Sequence, residues 1–157
     1  MTTETVISFF FASLALTIAP GPDVMYVLST SIAKGKNYGI AAAIGLSSGL
    51  LFHTTLLAFG ISAIIIKSPM LFKGIKIFGA LYLLWLAYNV FKSEASFQLK
   101  SQKITIDKPW KNIFKGLLMN ILNPKVMLFF LALFPTFINS KVGNIKLQVY
   151  TLGTISF

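Results

Sequence analysis

Two long apolar stretches of this chain are each interrupted near the middle by proline beside a charged residue. The first is broken around Pro22 and carries a single charge, Asp23. The second is broken at Pro124 and also carries a single charge, Lys125. A membrane helix that gives up backbone hydrogen bonds at mid-depth must recover them from a protein interior or a wet cavity. Because charges at that depth are costly and usually mark a transport path, the two breaks predict a small transporter for a solute with both charges.

The composition predicts an all-α membrane protein. Of the 157 residues, 55% are hydrophobic and only 11% are charged, with a mean hydropathy of +0.78. A soluble domain carries about 25% charged residues, and the apolar runs here exceed the ~18 residues that indicate a membrane span. We therefore expect one membrane domain, residues 1–157, with four transmembrane helices and a truncated fifth. The spans are expected near residues 5–33, 38–66, 70–91, 112–140 and, for the truncated helix, 147–157.

The spacing of the two breaks indicates an internal repeat. Pro22 and Pro124 each lie in the first span of a unit of three spans, and an odd number of spans inverts the second unit. This is the 3+3 inverted-repeat plan of many secondary transporters, in which broken helices meet near the midplane. The alternative is that proline is simply common in membrane helices. The second unit would lack its last spans, so we expect either a homo-oligomer or missing C-terminal helices to complete a pathway.

The lysines indicate how the chain is oriented. The net charge is +10, but the lysines lie between the apolar runs, where membrane orientation explains them better than nucleic-acid binding does. Eight flank the ends of spans 1 and 3 and the start of span 4: Lys34, Lys36, Lys92, Lys100, Lys103, Lys108, Lys111 and Lys115. Five lie on the other side: Lys67, Lys73, Lys76, Lys141 and Lys146. The first group is therefore predicted to be cytoplasmic, in a multi-pass protein whose N-terminus lies outside.

The first break offers an anionic group. Proline is preferred at the first position of a helix, so Gly21 and Pro22 predict that a new half-helix starts here. An acid in the first turn suits the positive end of the helix dipole. Asp23 is therefore a candidate for three roles: a structural cap, the partner of a substrate ammonium, or a proton carrier. The last two are compatible with capping.

The second break has the same pattern with the opposite charge. Asn123 is expected to cap a half-helix that starts at Pro124, which puts Lys125 in the first turn. The dipole disfavours a cation there by ~0.3–1 kcal/mol, and insertion at mid-membrane adds ~2.5–3.5 kcal/mol. Something anionic must compensate. The candidates are a permanent ion pair with Asp23, or a ligand carboxylate drawn by Lys125 and free N–H groups of the half-helix.

Span 2 carries a stripe of small residues that ends in the only histidine. Ala41, Gly45, Gly49 and His53 are spaced by four and share one helix face. Gly45 and Gly49 predict close helix packing at that face. His53 should then face protein, where it is either a satisfied interior histidine or a group that takes part in proton coupling.

Several classes of function are excluded by what the sequence lacks. It has no cysteine and a single histidine, so a protein-built zinc or iron site is not expected. No nucleophile–base pair and no nucleotide-binding glycine motif is present, so we predict a protein that is not an enzyme and binds no cofactor. The sequence is less typical of an ion channel, because a selective pore is lined by rings of like charges or carbonyls, whereas this chain carries single opposite charges.

The motifs, taken in order, resemble the LysE/RhtB superfamily of amino-acid exporters. The resemblance rests on these elements: Ala19-Pro20-Gly21-Pro22-Asp23, Gly39, Gly45, Gly49, His53, Gly79 to Leu86, Gly116, Asn120 to Lys125, Phe129-Phe130 and Pro135. It implies a bacterial inner-membrane protein that exports amino acids, driven by protons, with its two signatures on Pro20 to Asp23 and on Asn123 to Lys125. The expected partners are thus an amino-acid substrate and membrane lipid. Because the fifth span stops early, the alternative is a non-transporting remnant or a structural partner of an intact exporter.

The lysine count makes a topological prediction. A reporter enzyme inserted in the segment 92–115 should report a cytoplasmic location, because this segment holds most of the lysines on that side. Paired alkaline phosphatase and green fluorescent protein fusions measure the side directly. An extracytoplasmic reading would invert the predicted orientation.

Overall fold

The described part of the chain is built from helices only. The computed structural model describes residues 1–19, 21–92, 108–139 and 143–156, and within these ranges no strand is found. The α-helices are α1 (Thr3–Ile18), α2 (Pro22–Lys34), α3 (Lys36–Lys67), α4 (Pro69–Lys92), α5 (Trp110–Ile121), α6 (Pro124–Leu128) and α7 (Ile145–Ile155). A π-helical segment, Phe129–Leu133, and a 3₁₀ turn, Phe134–Phe137, continue α6. The all-α prediction is confirmed.

Some sequence predictions fall on residues outside the described ranges. Pro20, in the first break, is one of them, and so are residues 93–107, most of the predicted cytoplasmic segment. Residues 140–142 and 157, at the ends of the predicted fourth and fifth spans, are the others. The lysine bias and the 3+3 repeat therefore stay predictions.

One helix of the described chain is long and apolar enough to cross a bilayer, and up to three parts are if each bent helix pair counts as one span. The portion Lys36–Gly60 of α3 qualifies as a single helix. Two helix pairs qualify only if each is counted as one bent span: α1 with α2, bent by 54°, and α5 with the segment Pro124–Phe137, bent by 48°. The predicted total of four spans plus a truncated fifth goes beyond these three and stays a prediction.

A single glycine reverses the chain between α2 and α3. Gly35 has φ +97°, a left-handed conformation that glycine adopts at no steric cost. Its N–H donates to the Ser31 carbonyl at 2.9 Å, which closes the end of α2. One turn later a Cβ at Gly39 would overlap the Ser31 side chain, so the two helices pack closely from the turn onward. The first half of the chain is thus a tight helical hairpin.

Glycines let α3 and α5 approach until their backbones touch. A Cβ on Gly45 would collide with the Ile113 carbonyl, and one on Gly116 would collide with the Ala42 carbonyl. Further along α3, Gly49 lies against the Asn120 side chain. The structure therefore places Gly45 and Gly49, the predicted packing glycines, at this crossing. Close backbone approach of this kind is how membrane helices gain packing energy without a hydrophobic driving force.

An aromatic cluster connects the two broken segments with α7. Phe9 of α1 packs edge-on against Phe134 with ring centroids 4.8 Å apart, and both side chains are fully buried. Val149 and Leu152 of α7 belong to the same buried cluster. α7 also meets α3, because Gly153 leaves room for the Thr54 side chain. This cluster holds the 3₁₀ turn that follows α6 against the middle of α1.

Besides the apolar core, several polar residues are buried and many large apolar ones are exposed, unlike in a water-soluble fold. Buried positions include Asn112, Asn120 and Lys125, whereas Leu84 and Leu122 are 67% and 75% exposed. Along α5 both asparagine side chains are buried, whereas Phe114 is exposed. Polar groups in membrane segments almost always face the bundle interior, so the exposed apolar surface is the one that lipid would cover.

The glycine contacts predict which substitutions weaken the fold. Gly116→Ala should lower the melting temperature in detergent, because the new methyl group would overlap the Ala42 carbonyl. Overpacking of this kind costs about 1–3 kcal/mol. Differential scanning fluorimetry of the purified protein measures the shift.

Gly74→Ala is the matched control. A Cβ at Gly74, also inside a helix, meets nothing within 4 Å. Its melting temperature should stay equal or rise slightly, since alanine favours helix. Equal melting temperatures for both variants would contradict the close α3–α5 approach.

Candidate functional site

The first break separates α1 from α2 around Gly21. The N–H of Ala19 donates to the Ala15 carbonyl at 3.0 Å and ends α1. Gly21 is extended, with φ −150° and ψ 172°, and α2 then begins at Pro22. The N–H of Met25 donates to the Gly21 carbonyl at 3.1 Å, so the new helix is closed by the backbone. No side chain caps α2, which leaves Asp23 in the first turn without a capping hydrogen bond.

The second break separates α5 from α6 at Asn123. The N–H of Asn123 donates to the Asn120 carbonyl at 3.1 Å, where α5 ends. The Asn123 side-chain oxygen Oδ1 accepts from the Lys125 N–H at 3.0 Å, and α6 begins at Pro124 between them. The N–H of Met127 donates to the Asn123 carbonyl at 2.9 Å. Asn123 therefore caps the half-helix with both its side chain and its backbone.

The two breaks meet at the side chain of Lys125. Its Nζ donates to the Ala19 carbonyl at 2.7 Å and lies 4.0 Å from Oδ1 of Asp23. The Lys125 side chain is 4% exposed and that of Asp23 17%. The Ala19 carbonyl is at the C-terminal end of α1, where the helix dipole favours a cation. Lys125 thus occupies the unfavourable end of its own helix and the favourable end of another.

The Asp23 carboxylate and the Lys125 ammonium form a loose pair. A distance of 4.0 Å is too long for a hydrogen bond, which for charged N–H···O pairs lies near 2.7–2.9 Å. Gly21 provides the space between them: a Cβ there would lie 2.5 Å from Oδ1 of Asp23 and 3.2 Å from Nζ of Lys125. The pair is therefore open to a third polar group.

A cavity of about 330 Å³ surrounds this pair. It is bounded by both broken segments and by the middle of α3. Its polar lining residues are Ser13, Thr17, Asp23, Ser47, Asn120, Lys125 and Ser156. The remainder of its lining is apolar, from Leu16 and Val24 at the first break to Phe129 and Phe130 beyond the second. A mostly apolar cavity with a few convergent polar groups is the usual form of a small-molecule site.

Two polar atoms at this cavity lack a hydrogen-bond partner. Oδ1 of Asp23 and Oδ1 of Asn120 are buried and accept no hydrogen bond from any residue in the described ranges. Leaving such an atom unpaired costs about 1–3 kcal/mol, and more when it is charged. Both are acceptors, and both residues line the cavity. A ligand that donates hydrogen bonds would relieve this cost.

His53 lies outside this cavity. Its Nε2–H donates to the Asn120 carbonyl at 3.3 Å, and its ring stacks on Phe130 with centroids 5.4 Å apart. It lines a second cavity of about 340 Å³ whose other lining residues are apolar. Of the residues singled out in the sequence, the structure brings Gly21, Asp23 and Lys125 together and leaves His53 apart from them.

Four residues that contribute to the site were not predicted to do so from the sequence. The Ala19 carbonyl was overlooked, although every helix break leaves carbonyls without helical partners. Asn120 was noticed only as part of a motif, and its spacing from the capping Asn123 hinted that both would lie near the break. The hydroxyls of Ser13 and Thr17 lie one turn apart on α1 just before the break, and that spacing was the available signal.

Comparison with known proteins gives the chain a family context. The LysE type translocator family matches residues 14–157. The chain is 36% identical over 148 residues to the uncharacterized membrane protein YrhP of Bacillus subtilis, covering 89% of this chain and 70% of that protein. It is 31% identical to the uncharacterized membrane protein YahN of Escherichia coli K12, covering 78% and 55% of the two chains.

A relative with a named activity is more distant. The threonine efflux protein of Escherichia coli K12 is 26% identical over 130 residues, covering 81% of this chain and 63% of that protein. The aligned part thus spans between 55% and 70% of the length of these three relatives. No solved structure matches the chain. Since the family match extends over nearly the whole sequence, the chain belongs to the LysE type translocator family.

Proposed function

We propose that this protein exports amino acids across the bacterial inner membrane as a multi-pass secondary transporter. The observation that carries the proposal is the cavity of about 330 Å³ with Asp23 and Lys125 on its lining, their charged atoms 4.0 Å apart. An amino acid is a zwitterion whose two charges are separated by one carbon atom, and this pair offers it one partner for each. Membership of a translocator family and the name of the threonine efflux relative support export as the direction.

The substrate ammonium would bind beside Asp23. Oδ1 of Asp23 is a buried acceptor without a donor among the described residues, and the Ala19 carbonyl is already occupied by an ammonium, that of Lys125. The lysine therefore holds the position of a cation at the C-terminal end of α1. A substrate ammonium could replace it there, donating to the same two oxygens.

The substrate carboxylate would bind the Lys125 ammonium once it is displaced from Ala19. The backbone offers little help at this point, because Pro124 has no N–H and the N–H of Lys125 is bonded to Oδ1 of Asn123. Our sequence-based expectation that free amides of α6 assist the carboxylate is therefore not supported for these two residues. The side-chain ammonium is the group that remains, and a charged pair of this kind makes a strong hydrogen bond.

The replacement of the Lys125 contacts by those of the substrate is compatible with alternating access. In the proposal, the two broken segments are equivalent parts of a 3+3 inverted repeat, and they move against each other while the charges stay near the midplane. Proton coupling is assigned to Asp23, since it lines the cavity and His53 does not. A homo-oligomer or further C-terminal helices would complete the path.

A second candidate is a non-transporting membrane module that supports an intact exporter. The observation that favours it is that Lys125 contacts the Ala19 carbonyl and lies beside Asp23, as a purely structural link between the two breaks would. Reconstitution separates the two candidates. Liposomes holding only this chain should release a preloaded, radiolabelled amino acid if it transports. Release that requires a co-reconstituted full-length relative would support the module.

Charge removal at the pair tests the proposed site. Lys125→Gln should lower the rate of amino-acid efflux from preloaded vesicles by at least about thirtyfold, since removing one partner of a buried charge pair costs about 2–5 kcal/mol. Asp23→Asn should have an effect of similar size. Initial rates with a panel of radiolabelled amino acids measure both.

The control for charge removal is Lys73→Gln. Lys73 is exposed on α4 and does not line the cavity, so its replacement should leave efflux within about twofold of wild type, as exposed charges contribute little. Wild-type rates in Lys125→Gln would remove the substrate role of this lysine. An equal loss of efflux in Lys125→Gln, Asp23→Asn and Lys73→Gln would show that the rate depends on overall charge and not on this pair.

The position of His53 makes a separate prediction. His53→Gln should retain proton-coupled efflux within about threefold, because glutamine can still donate to the Asn120 carbonyl and the residue does not line the charged cavity. Efflux is measured with and without an imposed pH gradient. Loss of the response to the gradient, with efflux otherwise intact, would assign coupling to His53 instead of Asp23.

A further inference from the structure

One aromatic side chain separates two cavities of equal size. The cavity that holds Asp23 and Lys125 has a volume of about 330 Å³, and the cavity that holds His53 has about 340 Å³. Among the described residues, Phe130 is the one that lines both. The second cavity is otherwise apolar, with Leu56, Leu57 and Met127 among its lining residues. It cannot hold the charges of a zwitterion, but it can hold an apolar side chain.

The Phe130 ring is fixed in place by neighbouring rings. It stacks on His53 with centroids 5.4 Å apart and planes inclined by 27°, and on Phe134 with values of 5.0 Å and 26°. His53 is itself anchored by its hydrogen bond to Asn120. Phe130 is only 2% exposed. Offset-stacked aromatic contacts in this distance range add to the stability of the arrangement. The ring is therefore a rigid partition in this state of the protein.

The backbone connects this partition directly to the charged pair. Phe130 follows Lys125 by five residues on a continuous segment that runs from α6 into the π-helical turn Phe129–Leu133. The N–H of Phe134 donates to the Phe129 carbonyl, the five-residue spacing that defines a π turn. Single π turns inside helices occur frequently at functional sites. Here the turn holds Phe130 on the lining of the cavity that contains the Lys125 ammonium.

We propose that Phe130 sets the upper size of the side chain that the transport cavity accepts. The inference rests on the proposed function, because it takes the zwitterion to be held at Asp23 and Lys125. A volume of about 330 Å³ is at the lower end of the ~300–1,000 Å³ found for ligand sites, so space beyond the charged groups is limited. Removing the ring would join the two cavities and roughly double the continuous volume. The added space is apolar, so bulky apolar amino acids gain most.

The test compares small and bulky ligands on the purified chain. Dissociation constants for radiolabelled alanine and phenylalanine are measured in detergent by equilibrium dialysis, for wild type and for Phe130→Ala. Wild type should bind alanine more tightly than phenylalanine. In Phe130→Ala the ratio should shift toward phenylalanine by at least about tenfold, since one methylene group in an apolar pocket already changes discrimination by 10–200-fold.

Two further variants keep the test decisive. Phe134→Ala removes a ring that stacks on Phe130 but lines neither cavity, so it should lower the melting temperature and leave the ratio unchanged. Phe130→Leu is the milder substitution if Phe130→Ala does not fold, and it should shift the ratio in the same direction. An unchanged ratio in folded Phe130 variants, or an equal shift in Phe134→Ala, would overturn the size limit alone. Wild type that binds neither these two nor any of the other common amino acids would instead overturn the proposed function, and this inference with it.

Discussion

The hydrogen bond from the Lys125 ammonium to the Ala19 carbonyl is the contact on which the site depends. It joins the first turn of α6 to the last turn of α1, and so joins the two broken segments across the middle of the fold. Without it, the partly buried carbonyl at the end of α1 would lose its ammonium partner, and the buried Lys125 ammonium would keep only the Asp23 carboxylate 4.0 Å away. Leaving a buried polar or charged group without its hydrogen bond costs several kcal/mol in a membrane interior. Each helix break therefore supplies a hydrogen-bond partner that stabilises the other.

The glycines explain how so polar an interior can form. Gly45, Gly49 and Gly116 bring α3 and α5 together, and that approach places Asn120 at the edge of the cavity. Gly21 does the same for the charged pair, where a methyl group would lie between the two charges. Small residues in membrane helices are usually discussed as packing devices. In this chain they also determine which polar side chains can reach one another.

Much of this arrangement could be predicted from the sequence. The proline breaks and the capping role of Asn123 follow from local rules, because proline constrains the backbone within a few residues. The nearness of Asp23 to Lys125 does not follow from such rules; it was one of two candidates, suggested by a repeat plan in which broken helices meet near the midplane. The Ala19 contact could not be predicted, since a backbone carbonyl carries no sequence signature and its partner lies 106 positions away. The separation of His53 from the pair could not be predicted either, because it depends on a residue distant in sequence. Helical spacing predicts which face of α3 carries His53, but not that Phe130 stacks against its ring.

The balance of energies at the pair is compatible with the proposed exchange of its contacts for those of a substrate. Burying each charge costs about 2.5–3.5 kcal/mol on membrane insertion scales. A charge-assisted hydrogen bond such as that to Ala19 returns about 1.5–3 kcal/mol, and two charges 4.0 Å apart attract by about 4 kcal/mol at an effective dielectric constant of 20. The costs and gains nearly cancel. Because the net free energy of the pair is close to zero, little is lost when a ligand carrying the same two charges replaces its contacts. A tight, hydrogen-bonded ion pair would resist this exchange.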